Sequence, residues 1–319
     1  MPTVVRLLTP SLMLALAAIP AHAQDPAAKP AGPTVNVGGY VQVRETYRSD
    51  TKLTATLNRA RIGADGNLAT GFSYRVLVEY ESGGSATTAA GVALRDAYIR
   101  WTRDAFSVTA GQYKTPFSPE YITSITQVET ADRATVVDSV APKRDIGVMA
   151  QYTLENYGSV ALGIFNGEGQ NRIVNVDSSS LVVGRVTVRP VGFLTLGANI
   201  AAYKSDSTRY GVDGALEYQG ITARGEFIWN SRHNGAAVDK GWYGLVAYRV
   251  LPWVQLVARQ ELFERPAITG KVRTVATSGG VNAWFVGERV RILANYVSRK
   301  LGTPGVRTGT LVTQLQVRF

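Results

Sequence analysis

The chain has 319 residues, of which 45% are hydrophobic, and it carries 32 Gly, 15 Tyr and a formal net charge of +10. This composition is too apolar for a disordered chain, and its charged fraction of 18% is too low for a coiled coil. Cysteine is absent, which excludes disulfides, thiolate zinc sites, iron–sulfur clusters and cysteine nucleophiles.

The amino terminus has the pattern of a secretory signal peptide. Arg6 precedes an apolar run at residues 7–19, and Ala21-His22-Ala23 forms a small-residue cleavage site. The run is shorter than the ~18 apolar residues that a membrane-spanning helix requires. We therefore expect residues 1–23 to be removed, which leaves 319 − 23 = 296 residues and a charge of +9 after the loss of one arginine.

Residues 24–34 are rich in proline and are predicted to form an extended periplasmic linker. From residue 35 onward, apolar and polar residues alternate in segments typical of β-strands. In the last segment Leu311, Leu315 and Val317 share one face, while Gln316 and Arg318 share the other. In chain order the predicted strands are 35–48, 52–66, 71–82, 91–103, 105–114, 143–154, 157–166, 180–189, 192–203, 209–218, 220–231, 240–250, 252–264, 271–286, 288–299 and 309–319.

The connections between these strands differ in length according to strand parity. Those after even-numbered strands are short turns, such as Arg103-Asp104 and Glu155-Asn156. Most of those after odd-numbered strands are longer and rich in Gly, Ser, Asn and Thr, namely 83–90, 115–142, 166–179, 231–239 and 300–308. Outer-membrane barrels have short turns on one rim and long loops on the other. The sequence predicts an all-β protein, a transmembrane antiparallel β-barrel of about sixteen strands covering residues 35–319 as a single domain.

Alternation also predicts which charged side chains face the inside of this barrel. The basic set consists of Arg44, Arg59, Arg61, Arg75, Arg100, Arg185, Arg224, Arg249, Arg259 and Arg291, and the acidic set of Glu79, Asp96, Asp213, Glu217, Glu226 and Glu261. Ten bases against six acids predict a cationic lumen, and rings of arginine are typical of anion-selective pores. Alternatively, the arginines brace the wall by pairing with carboxylates, as Arg75 with Glu79 or Arg259 with Glu261.

The long third extracellular connection, 115–142, is predicted to fold into the lumen and constrict it, because long structureless insertions in tight hairpin proteins are usually functional. Its charged residues, with those at its ends, are Lys114, Glu120, Glu129, Asp132, Arg133, Asp138, Lys143 and Arg144. Acids on this loop facing a basic wall would create a transverse field that screens solutes. In the alternative arrangement, the loop caps the outside and its charges are solvated.

Catalytic chemistry finds little support in the sequence. The mature chain has one histidine, His233 in a predicted external loop, so neither a Ser-His-Asp triad nor a histidine-based metal site is expected. The glycines at 163–169 lack the Lys-Ser/Thr of a P-loop. No basic-aromatic module for nucleic acid accompanies the positive charge. We expect no enzyme activity, no cofactor, no metal and no nucleic-acid partner.

Residues 111–118, Gly-Gln-Tyr-Lys-Thr-Pro-Phe-Ser, resemble the signature of the phosphate-selective porin O and P family of Gram-negative outer membranes. Weaker similarities follow in order at 39–44, 58–63, 94–99, 132–134, 144–148 and 163–167. The resemblance implies a trimeric sixteen-stranded porin with its third loop in the pore, and a lumen whose arginine ladder and lysines bind phosphate. Unlike that pattern, the loop at 115–142 contains no lysine.

The sequence therefore predicts an outer-membrane porin that conducts small hydrophilic solutes passively and prefers anions, phosphate or polyphosphate included. A general diffusion porin with a transverse-field constriction is the alternative, and a membrane-barrel hydrolase or adhesin is a third. The expected partners are outer-membrane lipid, lipopolysaccharide, small anions as permeants and two further copies in a homotrimer. The expected location is the outer membrane of a Gram-negative bacterium.

Overall fold

A computed structural model describes residues 32–81, 91–174, 180–203, 207–232, 235–268, 270–302 and 305–319. The predicted signal peptide, most of the linker, the predicted loop at 83–90 and His233 lie outside these residues. The described part of the linker ends in a short pairing, because the Thr34 N–H donates to the Asn67 carbonyl at 2.9 Å. In the described part of the chain, no helix is both long enough and apolar enough to cross a membrane.

Sixteen antiparallel strands form one closed barrel, as the alternation predicts. The strands are β1 (Asn36–Arg48), β2 (Lys52–Ala69), β3 (Phe72–Glu81), β4 (Gly91–Arg103), β5 (Phe106–Lys114), β6 (Arg144–Leu154), β7 (Gly158–Phe165), β8 (Leu181–Val191), β9 (Leu194–Tyr203), β10 (Ser207–Tyr218), β11 (Ile221–Arg232), β12 (Ala237–Leu251), β13 (Val254–Ala267), β14 (Gly270–Phe285), β15 (Val290–Gly302) and β16 (Gly305–Arg318). Two short helices, α1 (Pro119–Ile122) and α2 (Thr135–Val140), lie between β5 and β6.

The barrel closes where the first strand pairs with the last. The β1–β16 ladder runs from Tyr40 opposite Arg318 to Arg48 opposite Thr310, and each other strand pairs with its neighbours in sequence. Gly39 and Phe319 extend this seam by exchanging two backbone hydrogen bonds of 2.9 and 3.0 Å. Closure leaves no sheet edge with unpaired N–H and C=O groups, which is the requirement for strands that cross a bilayer.

The two faces of the barrel have opposite character. Large apolar side chains on the outer face are exposed, among them Val186 at 45%, Ile292 at 45% and Leu315 at 43%. At neighbouring positions that face inward, Asn295 and Gln316 are almost fully buried. This arrangement reverses that of a soluble barrel and matches a barrel whose outer surface contacts lipid.

A β-bulge in β2 changes which residues face inward. The β1–β2 register shifts between Gln42 and Val43, so that Asn58 is an extra residue on β2. Leu57 and Ile62 are both exposed on the outer face although an odd number of positions separates them. An inserted residue reverses the alternation beyond the bulge, and this reversal keeps both arginines of the Arg-Ala-Arg stretch at 59–61 on the inner face.

The long-loop rim is less uniform than predicted. β11 and β12 extend through Arg232 and from Ala237, and β15 and β16 reach Gly302 and start at Gly305, so the predicted loops at 231–239 and 300–308 are largely strand. The ladder there continues with Ser231 opposite Val238 and Lys300 opposite Arg307. Polar strand ends can project past the apolar band into water, so their composition resembles that of a loop. The long connections on this rim are those after β3, β5 and β7.

Part of the inner wall is apolar. Leu181, Val183, Ile228 and Phe263, on β8, β11 and β13, are buried on the inner face. They form one cluster with valines of α2 (Val136, Val137 and Val140), so that helix packs against the wall as in a soluble core. The interior is consequently divided, and its charged part lies on the side of β1–β6.

Candidate functional site

The connection between β5 and β6, residues 115–143, is here named the β5–β6 segment. Its base is closed by Thr115, whose hydroxyl donates to the carbonyls of Pro142 and Lys143 at 3.0 and 3.1 Å. Ser118 caps α1 by accepting a hydrogen bond from the Tyr121 N–H at 3.2 Å. Gly111, just before the segment, has a φ of +127°, and a Cβ there would lie 2.2 Å from the Ala97 carbonyl oxygen.

Side chains of distant strands hold the backbone of this segment. Arg291 of β15 donates to the carbonyls of Thr126, Val128 and Glu129 at 3.3, 2.9 and 3.1 Å. Asn295, four residues further along the same strand, accepts a hydrogen bond from the Ala131 N–H at 2.7 Å. β15 is far from β5 and β6 in the strand order, so the segment reaches side chains on the opposite arc of the closed ring.

Three of the four acids in the segment are also used for this attachment. Asp132 forms an ion pair of 3.0 Å with Arg44, and Glu129 forms one of 2.7 Å with Arg224. Glu120 lies 3.5 Å from Arg259. The fourth acid, Asp138, is exposed and borders a cavity on the long-loop side. The carboxylates that were expected to face a basic wall across a passage therefore bind that wall instead.

The predicted arginine path divides into two groups as a result. Arg44, Arg224, Arg259 and Arg291 attach to the β5–β6 segment, and Arg259 and Arg291 are only 6% and 3% exposed. They lie beneath the segment rather than along an open path. Arg249 is exposed near the short-turn rim, where it donates to the Pro252 carbonyl at 3.0 Å. The remaining predicted arginines line cavities and are described below.

Glu120 is buried where the segment meets the wall. One carboxylate oxygen accepts from the Ala134 N–H at 2.9 Å, and the other faces Arg259. Burial raises the pKa of Glu120 to about 7, the nearby charge of Glu261 adds to the rise, and Arg259, the Ala134 N–H and Arg133 oppose it. Because the pKa in the folded protein exceeds the usual value, docking of the segment is favoured when this carboxyl is neutral and is weakened as the pH rises through about 7.

We accordingly expect the segment to be held more tightly at pH 5 than at pH 9. Ionising a carboxyl whose pKa is raised this far disfavours the docked segment by about 3 kcal/mol. Single-channel recordings should show larger current fluctuations at pH 9, and Glu120→Gln should reduce the difference between the two pH values. Asp138→Asn, which neutralises an exposed carboxyl of the same segment, is the control. A Glu120→Gln channel with the pH response of the unmodified protein would contradict this assignment.

Two cavities lie on the charged side of the interior, between the β5–β6 segment and β1–β6. The larger, of about 460 Å³, extends toward the short-turn rim, and the smaller, of about 330 Å³, toward the long-loop rim. The larger is lined by the cations Arg61, Arg75, Arg100, Lys114, Arg144 and Arg185. The smaller is lined by the cations Arg59, Arg61, Arg95, Arg133, Lys143 and Arg144. Arg61 and Arg144 belong to both, so the cavities meet at these two side chains.

Carboxylates neutralise some of these cations. Asp96 pairs with Arg144 at 2.8 Å and with Arg75 at 3.6 Å. Glu79 pairs with Arg61 at 3.1 Å and also with Arg95, so it does not pair with Arg75 as the strand spacing had suggested. In the same way, Arg185 pairs with Asp213 of β10 at 2.8 Å. The bracing alternative is therefore correct for several arginines.

Five lining cations have no ion-pair partner among the described residues: Arg59, Arg100, Lys114, Arg133 and Lys143. The Arg59 guanidinium donates to Gln42 at 3.2 Å, and that of Arg100 to the Thr109 hydroxyl at 3.0 Å. Lys114 and Arg133 donate to backbone carbonyls of the β5–β6 segment. Neutral acceptors leave the formal charge of each group uncompensated. An excess of positive charge therefore lines both cavities, one part contributed by the wall and one part by the segment.

Arg95 belongs to this site although strand alternation did not place it there. The β3–β4 register shifts between Leu77 and Val78, so β4 has an extra residue at this position. Both Arg95 and its neighbour Asp96 therefore reach the inside, where Arg95 also donates to the Gln170 side chain at 2.9 Å. A bulge inside a strand has no reliable sequence signal, and the glycine or proline that would have suggested one is missing here.

In the described part of the chain, no group of three or more His, Asp or Glu side chains is arranged to hold a metal ion. Most acids of the described interior are directed at arginines or backbone N–H groups, and Glu226 accepts from the Ser118 hydroxyl at 2.9 Å. What the arrangement offers is a charged passage lined by fixed guanidinium groups, which keep their charge at any physiological pH and match oxyanions geometrically.

A closed barrel with an apolar exterior, a charged interior and a connection folded against its inner face defines the class of membrane-spanning porin barrels. A family model described as phosphate-selective porin O and P matches residues 35–211. The chain therefore belongs to the phosphate-selective porin O and P family, as the signature at 111–118 indicated. No curated protein matches the chain.

Solved outer-membrane structures share this fold at low sequence identity. OmpT of Vibrio cholerae has a TM-score of 0.67 and 14% identity, covering 92% of this chain and 99% of its own. The outer membrane channel DcaP of Acinetobacter baumannii has a TM-score of 0.65 and 14% identity, covering 90% and 98%. An anion-selective porin from Comamonas acidovorans has a TM-score of 0.63 and 12% identity, covering 90% and 100%. At these identities the likeness concerns the fold alone.

Proposed function

We propose that the protein is an outer-membrane porin whose water-filled passage prefers small anions, phosphate and polyphosphate among them. The observation that carries this proposal is the set of lining arginines without ion-pair partners, Arg59, Arg100 and Arg133. Fixed cations in a narrow, low-dielectric passage raise the local concentration of anions and oppose cations. The Comamonas acidovorans barrel is an anion-selective porin, which agrees with this proposal.

Under this proposal the β5–β6 segment constricts the passage. Its cations Arg133 and Lys143 line the smaller cavity together with Arg59 and Arg61 of β2. The alternative of a general porin with a transverse field requires acids on that side. Three segment acids are instead paired with or directed at wall arginines, which favours the anion-preferring channel.

We further propose export through cleavage after residue 23, integration in the outer membrane among lipid and lipopolysaccharide, and assembly as a homotrimer. Support for the trimer comes from OmpT of Vibrio cholerae, which is described in a trimer form. The family assignment supports transport rather than hydrolysis or adhesion.

The deciding experiment is a reversal-potential measurement across a KCl gradient with the mature protein in a planar lipid bilayer. We expect a reversal potential whose sign corresponds to chloride passing more easily than potassium, and a weaker preference at high salt because screening shortens the reach of the lining charges. A reversal potential of the opposite sign, which corresponds to potassium passing more easily than chloride, would contradict the proposal. A reversal potential near zero at low salt would favour the alternative, a general diffusion porin.

A further inference from the structure

Three of the lining cations without an ion-pair partner lie beside a tyrosine ring. The Arg100 guanidinium carbon is 5.5 Å from the centre of the Tyr98 ring. Lys114 Nζ and the Arg133 guanidinium carbon lie 5.7 and 5.0 Å from the centre of the Tyr121 ring. These distances are those of cation–π contacts, so the positive charges of the passage are presented together with aromatic surface.

The larger cavity adds apolar surface to this pairing. Ile122, at the end of α1, lines the cavity and is 40% exposed, although it belongs to the β5–β6 segment and not to the outer face of the barrel. Tyr98 meets Tyr113 edge to face at 5.7 Å between ring centres, and Tyr113 meets Phe165 at 5.5 Å. These contacts fix the orientation of Tyr98 toward the cavity. The apolar and cationic groups therefore line the same space.

Only some anions make use of both kinds of surface. Inorganic phosphate or chloride interacts with the cations but gains nothing from an isoleucine and a tyrosine face. An anion with a carboxylate at one end and an aromatic body at the other places its charge near Arg100 and buries its ring against Tyr98 and Ile122. A cavity of about 460 Å³ is within the size range of small-molecule sites and accommodates a single substituted ring.

We propose that the larger cavity is a binding site for organic anions that carry an aromatic or aliphatic body, with small aromatic carboxylates as its preferred class. This inference rests on the proposed function and deepens it by naming a substrate class. Arg100 attracts the carboxylate, while Tyr98 and Ile122 determine that the body attached to it is apolar. Inorganic anions pass through the same cavity and bind it more weakly.

The test compares anions that differ in one feature. The mature protein in a planar bilayer at pH 8 is exposed to benzoate, acetate or inorganic phosphate at matched ionic strength, and the block of the single-channel chloride current is titrated. Benzoate and acetate share a carboxylate and differ in their apolar body. We expect half-block by benzoate at a concentration about tenfold or more below that of either other anion, as burial of roughly one ring face implies.

Two variants test whether the apolar surface of the larger cavity causes the difference between benzoate and acetate. Ile122→Asn removes apolar surface but keeps the backbone carbonyl that holds Lys114, so it should bring benzoate close to acetate. Ile173→Asn, which changes an exposed isoleucine that does not line the cavity, should keep the full difference. Equal block by benzoate and acetate in the unmodified protein would overturn the substrate class. If the reversal potential still indicated anion preference, the proposed function would survive that result, whereas a cation-selective reversal potential would overturn both.

Discussion

Replacing Arg59 and Arg100 together by glutamate should lower the ratio of chloride to potassium permeability about tenfold or more. Both arginines line the passage and neither has a carboxylate partner among the described residues, so their charge acts on ions rather than on the wall. Two unit charges 4 Å apart interact by ~1 kcal/mol in water and by ~4 kcal/mol at an effective dielectric of 20. A change of ~1.4 kcal/mol is tenfold in a ratio.

The measurement is the reversal potential in a KCl gradient, repeated at low and high salt. The control is the double variant Arg48→Glu with Arg307→Glu, which alters charge equally at exposed strand ends away from both cavities. Screening should leave its selectivity close to that of the unmodified protein. Equal effects of the two double variants would mean that net charge, and not the passage lining, sets the preference.

Replacing Arg291 by leucine should release the β5–β6 segment and widen the passage. Arg291 donates to three buried backbone carbonyls of the segment and to Asn282 at 2.8 Å. A buried acceptor that loses its partner costs ~1–3 kcal/mol. A loss of even ~2 kcal/mol raises the undocked population about thirtyfold. We expect a larger mean conductance and new high-conductance events.

The strand ladder does not depend on this side chain, so the folded barrel should keep its electrophoretic mobility in unheated detergent samples. Arg299→Leu removes an exposed arginine from the same strand and should conduct like the unmodified protein. If Arg291→Leu channels showed unchanged conductance and noise, the remaining contacts of the segment would be sufficient to hold it.

Much of the fold could be predicted because the physical requirement is local. A strand that separates lipid from a polar interior must alternate along its own length, as Leu311, Leu315 and Val317 do against Gln316 and Arg318. The sixteen strands and the antiparallel order were predicted on that basis, the family was predicted from the signature at 111–118, and all three are confirmed. The strand ends near Arg232 and Gly302 were misjudged, because outside the apolar band a strand has no reason to differ in composition from a loop.

The site was only partly predictable. Inward direction follows from alternation, and Arg59, Arg61, Arg75 and Arg100 do line the cavities. Arg95 was missed because a bulge breaks the alternation. Nothing in the spacing of the tyrosines indicates that Tyr98 and Tyr121 lie next to a charge.

The sequence by itself determined the class of protein, because lipid outside and water inside impose a period of two on every strand. Only the tertiary structure decided which charges remain available to an ion. Whether an inward arginine is neutralised depends on residues far away in the chain, as with Arg291 and the carbonyls of 126–129, or Arg185 and Asp213. Pairing across the interior is a property of the closed ring and of the segment packed within it, so the selectivity of the passage is established only when the barrel closes.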